Sequence, residues 1–117
     1  MQDPRSNAGI INMHELMDIM DHDMDLVREC FNDFLSEWPA IFKEIMEAVQ
    51  ALNAEQLKQA AHKLKGMLKY LCAERAVQAA MDLESAGRKK VMEGLDEKLS
   101  LLEQECLNLV QYIKNHS

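Results

Sequence analysis

Aromatic residues are scarce in this chain: three Phe, two Tyr and one Trp make up 5% of 117 residues. A core built from it must therefore be mostly Leu, Met, Ala, Ile and Val, and 48% apolar residues are enough to fill one. The length suits one domain and is short for two. Proline is nearly absent, with two residues, whereas methionine occurs nine times. That balance favours helices, which Met and Ala support and Pro does not. Positive charge is in deficit too. A formal net charge of -7 speaks against nucleic acid, which attracts surplus Lys and Arg, and against anionic membranes. No run approaches the ~20 apolar residues of a membrane span. The first nine residues contain no apolar run, so no signal peptide is expected, and the expected location is the cytoplasm. Cys30, Cys72 and Cys106 are odd in number, far apart and without a CxxC pair. Neither a zinc site nor a disulfide framework is signalled, and three buried thiols in a reducing compartment are expected.

What is present is helical periodicity. Residues 1–9 are read as a flexible tail, with Met1–Ser6 a candidate cloning remnant, and residues 10–117 as one folded unit. Asn12, with Glu15 three residues on, forms a capping box that opens a short helix carrying Met13, Leu16, Met17 and Met20. Asp23 caps a second helix with Val27, Cys30, Phe31, Phe34, Leu35 and Trp38 at three-and-four spacing. The pattern resumes after Pro39 with Ile41, Phe42, Ile45, Met46 and Val49, which predicts one long helix bent or locally broken before Pro39. Asn53 and Gln56 open a third helix with the stripe Leu57, Ala60, Ala61, Leu64, Leu68 and Leu71. After a junction near Cys72, a fourth helix is predicted over roughly Glu74 to Arg88, and GRKKVMEG, bounded by Gly87 and Gly94, is read as a connection. A last helix runs from about Leu95 to Lys114, with Leu99, Leu102, Cys106, Leu109, Val110 and Ile113 inward. Short connections between amphipathic helices predict an all-α, antiparallel up-down four-helix bundle with a short additional N-terminal helix. The lack of a sustained heptad seam favours a monomer.

The third helix carries an anomaly. With about 100° per residue, Glu55, Lys58, Lys65, Gly66 and Lys69 fall within about 60° of His62, and the leucine stripe lies on the far side. His62 thus has no core role. Gly66 costs about 1 kcal/mol relative to alanine in a helix interior and is not a cap. A missing side chain one turn from His62 leaves the ring open to a second macromolecule; neutral drift is the plain alternative. Lys65 and Lys69 reach over the surface near His62, where their charge disfavours imidazolium and favours an attached phosphoryl group. A solvated basic face is the plain reading of the lysines. On the fourth helix, Ala73, Ala76, Val77, Ala80 and Leu83 define an inner arc, and Glu84 falls within it. A buried carboxylate needs a partner. Antiparallel packing offers His62, whose tautomer Glu84 would fix; the alternative is a glutamate reaching water from the helix edge. His14, His22 and His116 lie apart and read as ordinary solvated residues.

Residues 61–73, AHKLKGMLKYLCA, resemble the signature of histidine-containing phosphotransfer (HPt) domains, through Ala61, His62, Leu64, Lys65, Gly66, Leu71 and Ala73. The resemblance extends to Leu83 and Glu84, to the long helix with Pro39, and covers roughly residues 10 to 115. Three positions depart from it: Met67, Tyr70, and Cys72 where the family often has Gly. The resemblance implies that His62 takes a phosphoryl group from a receiver aspartate, or from a histidine kinase, and passes it to another response-regulator receiver in a phosphorelay. It implies no ATP site and no enzymatic turnover, and no cofactor of its own, with Mg²⁺ on the partner receiver domain. By position, Lys65 and Lys69 are charge neighbours, Gly66 is the clearance, Lys58 belongs to the binding face and Glu84 orients the ring. The partner would dock over His62 and touch the first helices at Met13, Leu16 and Met17. The residues also admit a helical interaction or scaffold domain without phosphotransfer, and an enzyme using His62 as general base. The second is weak because an exposed helix face is not a water-excluding pocket.

Overall fold

The computed structural model describes residues 10–116, so the tail read at residues 1–9 lies outside the described residues. Five helices and no strand are present among them: α1 (Met13–Ile19), α2 (Met24–Gln50), α3 (Ala54–Tyr70), α4 (Glu74–Lys89) and α5 (Asp96–His116). Asn12, Asp23 and Asn53 are the N-caps, as the sequence predicts, but the Asn12–Glu15 box is not closed, because the Asn12 N–H donates to the Cys72 carbonyl instead. The Asn12 side chain accepts from the Glu15 N–H at 3.1 Å, Asp23 from Asp25 and Leu26, and Asn53 from Gln56 at 3.0 Å. Each satisfies an N–H that the first helical turn leaves unpaired.

α2 runs through Pro39 as one 27-residue helix. Pro39 itself is exposed, so the pyrrolidine ring lies on the water side, away from the core. On the inner side Phe34, Trp38 and Phe42 form an aromatic series with centroids 6.0 Å apart at each step. The two ends of the helix are therefore tied by packing where one backbone hydrogen bond is lost. Met46, expected inward, is exposed.

α2 to α5 form the bundle, each packed antiparallel on the next, and α5 closes it against α2. Cross-helix bonds tie neighbours together: Glu44, late on α2, meets Gln56 in the first turn of α3 and Lys63 near its middle, and Arg75 on α4 binds Glu105 on α5 at 3.0 Å. The predicted stripe of α3 is buried throughout, and Leu83, Leu102, Cys106, Leu109 and Ile113 fill the rest of the core. Leu99 and Val110 are half-buried. Cys72 and Cys106 are buried, whereas Cys30 is only half-buried. Burial and the neighbouring Glu105 and Glu103 push the Cys106 thiol up to about 12, which leaves it unreactive.

α1 packs on α2 and over the α3–α4 junction, where the Asn12 N–H donates to the Cys72 carbonyl at 3.0 Å. Cys72 has φ 56°, the left-handed conformation that glycine adopts most easily. The substitution at this position thus keeps the turn, and α3 ends at Tyr70 with Leu71 as its cap. Leu16 is wholly buried, so of the three residues expected to meet a partner it belongs to the core instead. Met13 and Met17 are half-buried against the same core.

The connection after α4 begins later than the sequence suggested. Gly87 is inside α4 and buried, and the helix ends at Lys89, with Lys90 in the left-handed cap position. A Cβ on Gly87 would stand 2.8 Å from the Ala54 carbonyl oxygen and 2.8 Å from the Lys58 nitrogen. Both are backbone atoms, so neither can swing aside. Gly87 is what lets the end of α4 touch the start of α3. Gly87→Ala should therefore destabilise the protein by about 1–3 kcal/mol despite alanine's better helix propensity, read as a lower urea midpoint at unchanged slope.

Candidate functional site

The close approach of α3 and α4 places His62 opposite Glu84. The His62 side chain is 66% exposed, that of Glu84 only 7%. His62 Nδ1 lies 2.8 Å from Glu84 Oε2. Lys65, one turn along α3, places its ammonium 2.7 Å from the other oxygen, Oε1, and is itself only 15% exposed. Arg88, one turn along α4, approaches Oε2 at 3.3 Å from the solvent side. One buried carboxylate is thus shared by three cationic or hydrogen-bonding groups.

The charge state of Glu84 follows from this set. Burial pushes its pKa up, but the hydrogen bonds and charges of Lys65 and His62 outweigh burial and hold it below the usual carboxylate range. A carboxylate is an acceptor only. Nδ1 therefore carries the proton and donates it to Oε2. In the neutral ring that leaves Nε2 with a free lone pair, on the exposed side of the imidazole.

The predicted site residues divide into two groups. His62, Lys65 and Glu84 are brought into direct contact, but Lys65 is bound to Glu84, where the sequence suggested a charge reaching over the ring. Gly66 is exposed, and a Cβ there would meet nothing within 4 Å, so the fold itself does not require a glycine. Lys58 pairs with Glu55 at 3.2 Å. Lys69 is exposed and takes part in no ion pair among the described residues; it sits beside Ala73, Glu74 and Val77 at the start of α4. Arg88 was not singled out from the sequence, although its i,i+4 spacing from an inward glutamate is a readable signal. His14 and His22 both lie within 4 Å of Asp18 at the exposed end of α1, far along the chain from this cluster. No group of three or more His, Cys, Asp or Glu among the described residues is arranged to hold a metal. None of the described helices is long and apolar enough to cross a membrane.

An exposed histidine on a four-helix bundle, with one ring nitrogen held by a buried carboxylate, is the kind of site that can take a group on its other nitrogen. Comparison with known proteins gives that bundle a family. The family model described as the Hpt domain matches residues 29–112, most of the chain, and the chain belongs to that family of histidine phosphotransfer domains. The crystal structure of histidine-containing phosphotransfer protein B (HptB) from Pseudomonas aeruginosa PAO1 superposes with a TM-score of 0.83 at 18% identity, over 91% of this chain and 92% of that one. At this identity the likeness is one of fold. No curated protein matches the sequence.

The Glu84 cluster predicts a pH dependence. A carboxylate depressed in the folded state stabilises the fold above its unfolded value, near 4.5, and that contribution is lost as pH falls through the lower folded value. Unfolding free energy measured in urea should therefore decline below about pH 4.5. In Glu84→Gln the decline should be shallower, with lower stability at neutral pH because Lys65 loses its counter-charge.

Proposed function

We propose that His62 is the phosphoryl carrier of this Hpt domain and that Nε2 is the atom that reacts. The observation that carries the reading is the 2.8 Å contact between Nδ1 and a carboxylate kept ionised by Lys65. In the forward step the Nε2 lone pair attacks the phosphorus of a receiver's aspartyl phosphate. The P–N bond forms as the P–O bond to aspartate breaks, and the aspartate leaves as carboxylate with the electron pair. The ring then carries a positive charge, which the Nδ1–H···Glu84 bond stabilises at no cost in reorganisation. Transfer to a second receiver reverses these changes.

In this reading Glu84 orients the ring, and Lys65 is a positioning residue acting through Glu84. Lys69, a cation with no ion-pair partner among the described residues, lies seven residues from His62, about 10 Å along the helix, within reach of an incoming anionic partner. Gly66 keeps the ridge beside the ring low, and Lys58 lies at the edge of the face. The partners are response-regulator receiver domains, a histidine kinase, or both. The protein needs neither a nucleotide site nor a cofactor of its own; the divalent cation of the reaction, Mg²⁺, belongs to the receiver. It acts as a monomer in the cytoplasm, as a carrier and not as an enzyme with turnover.

Labelling with phosphoramidate should give an acid-labile, base-stable phosphate that is absent from His62→Gln. Label persisting in that variant would remove the acceptor assignment. Gly66→Gln should keep the fold, with stability raised by up to about 1 kcal/mol from helix propensity. It should still be labelled by phosphoramidate, yet transfer to a receiver should slow at least about tenfold through steric exclusion. Equal transfer rates would show that Gly66 is not a clearance.

A further inference from the structure

The face around His62 changes character from one side of α3 to the other. Toward α4 stand the exposed cations Lys69 and Arg88, while Lys65 is turned inward onto Glu84. Toward α2 the face falls into a groove of about 440 Å³. Gly66, Met67 and Tyr70 form one wall, and Cys30, Asp33 and Glu37 the other. Tyr70 is 64% exposed, a large apolar ring left in water at the groove's edge. Asp33 and Glu37 stand one turn apart on α2, both exposed, and neither has a cation partner among the described residues. Lys63, a cation of α3 that reaches toward α2, is taken by Glu44 at 3.3 Å. Two like charges at this spacing repel each other, and the groove they line reaches Gly66, one helical turn from His62.

We propose that this groove sets which receivers exchange phosphate with His62, by taking an apolar side chain of the receiver flanked by a Lys or Arg that pairs with Asp33 and Glu37. The inference rests on His62 being the acceptor. It follows from continuity and charge. Gly66 lines the groove and has open space where its Cβ would stand, so the groove runs into the approach path to Nε2. The unpaired carboxylates repel a phosphoryl group and accept only a surface that brings its own cation. With cations on the opposite flank, a receiver presenting the complementary pattern is held in one orientation. Tyr70 and Met67 supply apolar contact, and the charges supply register and association rate.

The test separates this inference from the acceptor assignment. Wild type, Asp33→Lys/Glu37→Lys and Tyr70→Ala are each labelled with phosphoramidate, then mixed with a panel of purified receiver domains at low and high salt. The expected result is labelling within about twofold of wild type in both variants, because a small donor needs no docking face. Transfer to receivers that wild type serves should be slowed about tenfold or more by the double charge reversal, with a weaker salt dependence. Tyr70→Ala should slow it severalfold without changing the salt dependence. Transfer by the charge-reversed protein within twofold of wild type at low salt would overturn the proposal. So would sedimentation of wild type as a dimer that the same substitutions dissociate, since a second copy would then fill the groove. Failure of wild type itself to take label would instead refute the acceptor assignment beneath it.

Discussion

Glu84 is a carboxylate in a place where the bundle offers little water, and the arrangement of the site follows from the need to keep it charged there. Its two oxygens are divided between the groups that satisfy it: Oε1 takes the Lys65 ammonium, and Oε2 takes His62 Nδ1 and, more distantly, Arg88. Removing one partner from such a group leaves charge without compensation, a cost of several kcal/mol in buried pairs. Lys65 therefore reaches inward and is half-buried, and the His62 ring is held by one nitrogen while most of its surface faces water. Electrostatic satisfaction of a buried acid and the tautomer of an exposed base are one arrangement.

That arrangement requires α3 and α4 to approach each other, and Gly87 allows backbone contact at the end where α4 meets Ala54 and Lys58. The alanines of the two helices, Ala60, Ala61, Ala76 and Ala80, continue it along the contact. The two helix-interior glycines among the described residues thus differ in their surroundings. Gly87 is buried because backbone stands where its side chain would be. Gly66 is exposed, and a Cβ there would meet nothing within 4 Å, so no contact within the fold excludes a side chain. α1 serves the same region by binding the Cys72 carbonyl and covering the junction between the two helices.

Much of this was readable from the residues. The leucine stripe of α3 is wholly buried because a 3.6-residue period with no competing apolar face leaves one way to pack. Glu84 was legible for the same reason, as an acid on an apolar arc. Lys65 was misread in its direction. A helical wheel gives the angle at which a side chain leaves the helix, and a four-carbon stem can then bend toward whichever charge is buried nearby. Gly87 reads as a helix end in sequence because glycine followed by three cations is a common stop signal, and only the neighbouring helix reveals why it is there. Leu16 was offered to a partner because an amphipathic stripe on a short helix does not say whether the bundle or another protein covers it. Arg88 passed unnoticed because its partner acquires meaning only once Glu84 is known to be inside. The groove beside Tyr70 is a property of two helices together and has no signature in either.

The account stands on one atom-level claim: an ionised Glu84 holds the proton on Nδ1 and leaves Nε2 bare. Long-range ¹H–¹⁵N correlation of the His62 ring, at a pH where the imidazole is neutral, measures this directly. The account predicts the Nδ1–H tautomer, with the Nε2 resonance in the range of an unprotonated ring nitrogen. A ring protonated at Nε2 with Nδ1 bare would contradict it, because Glu84 would then be no acceptor and the exposed nitrogen no nucleophile.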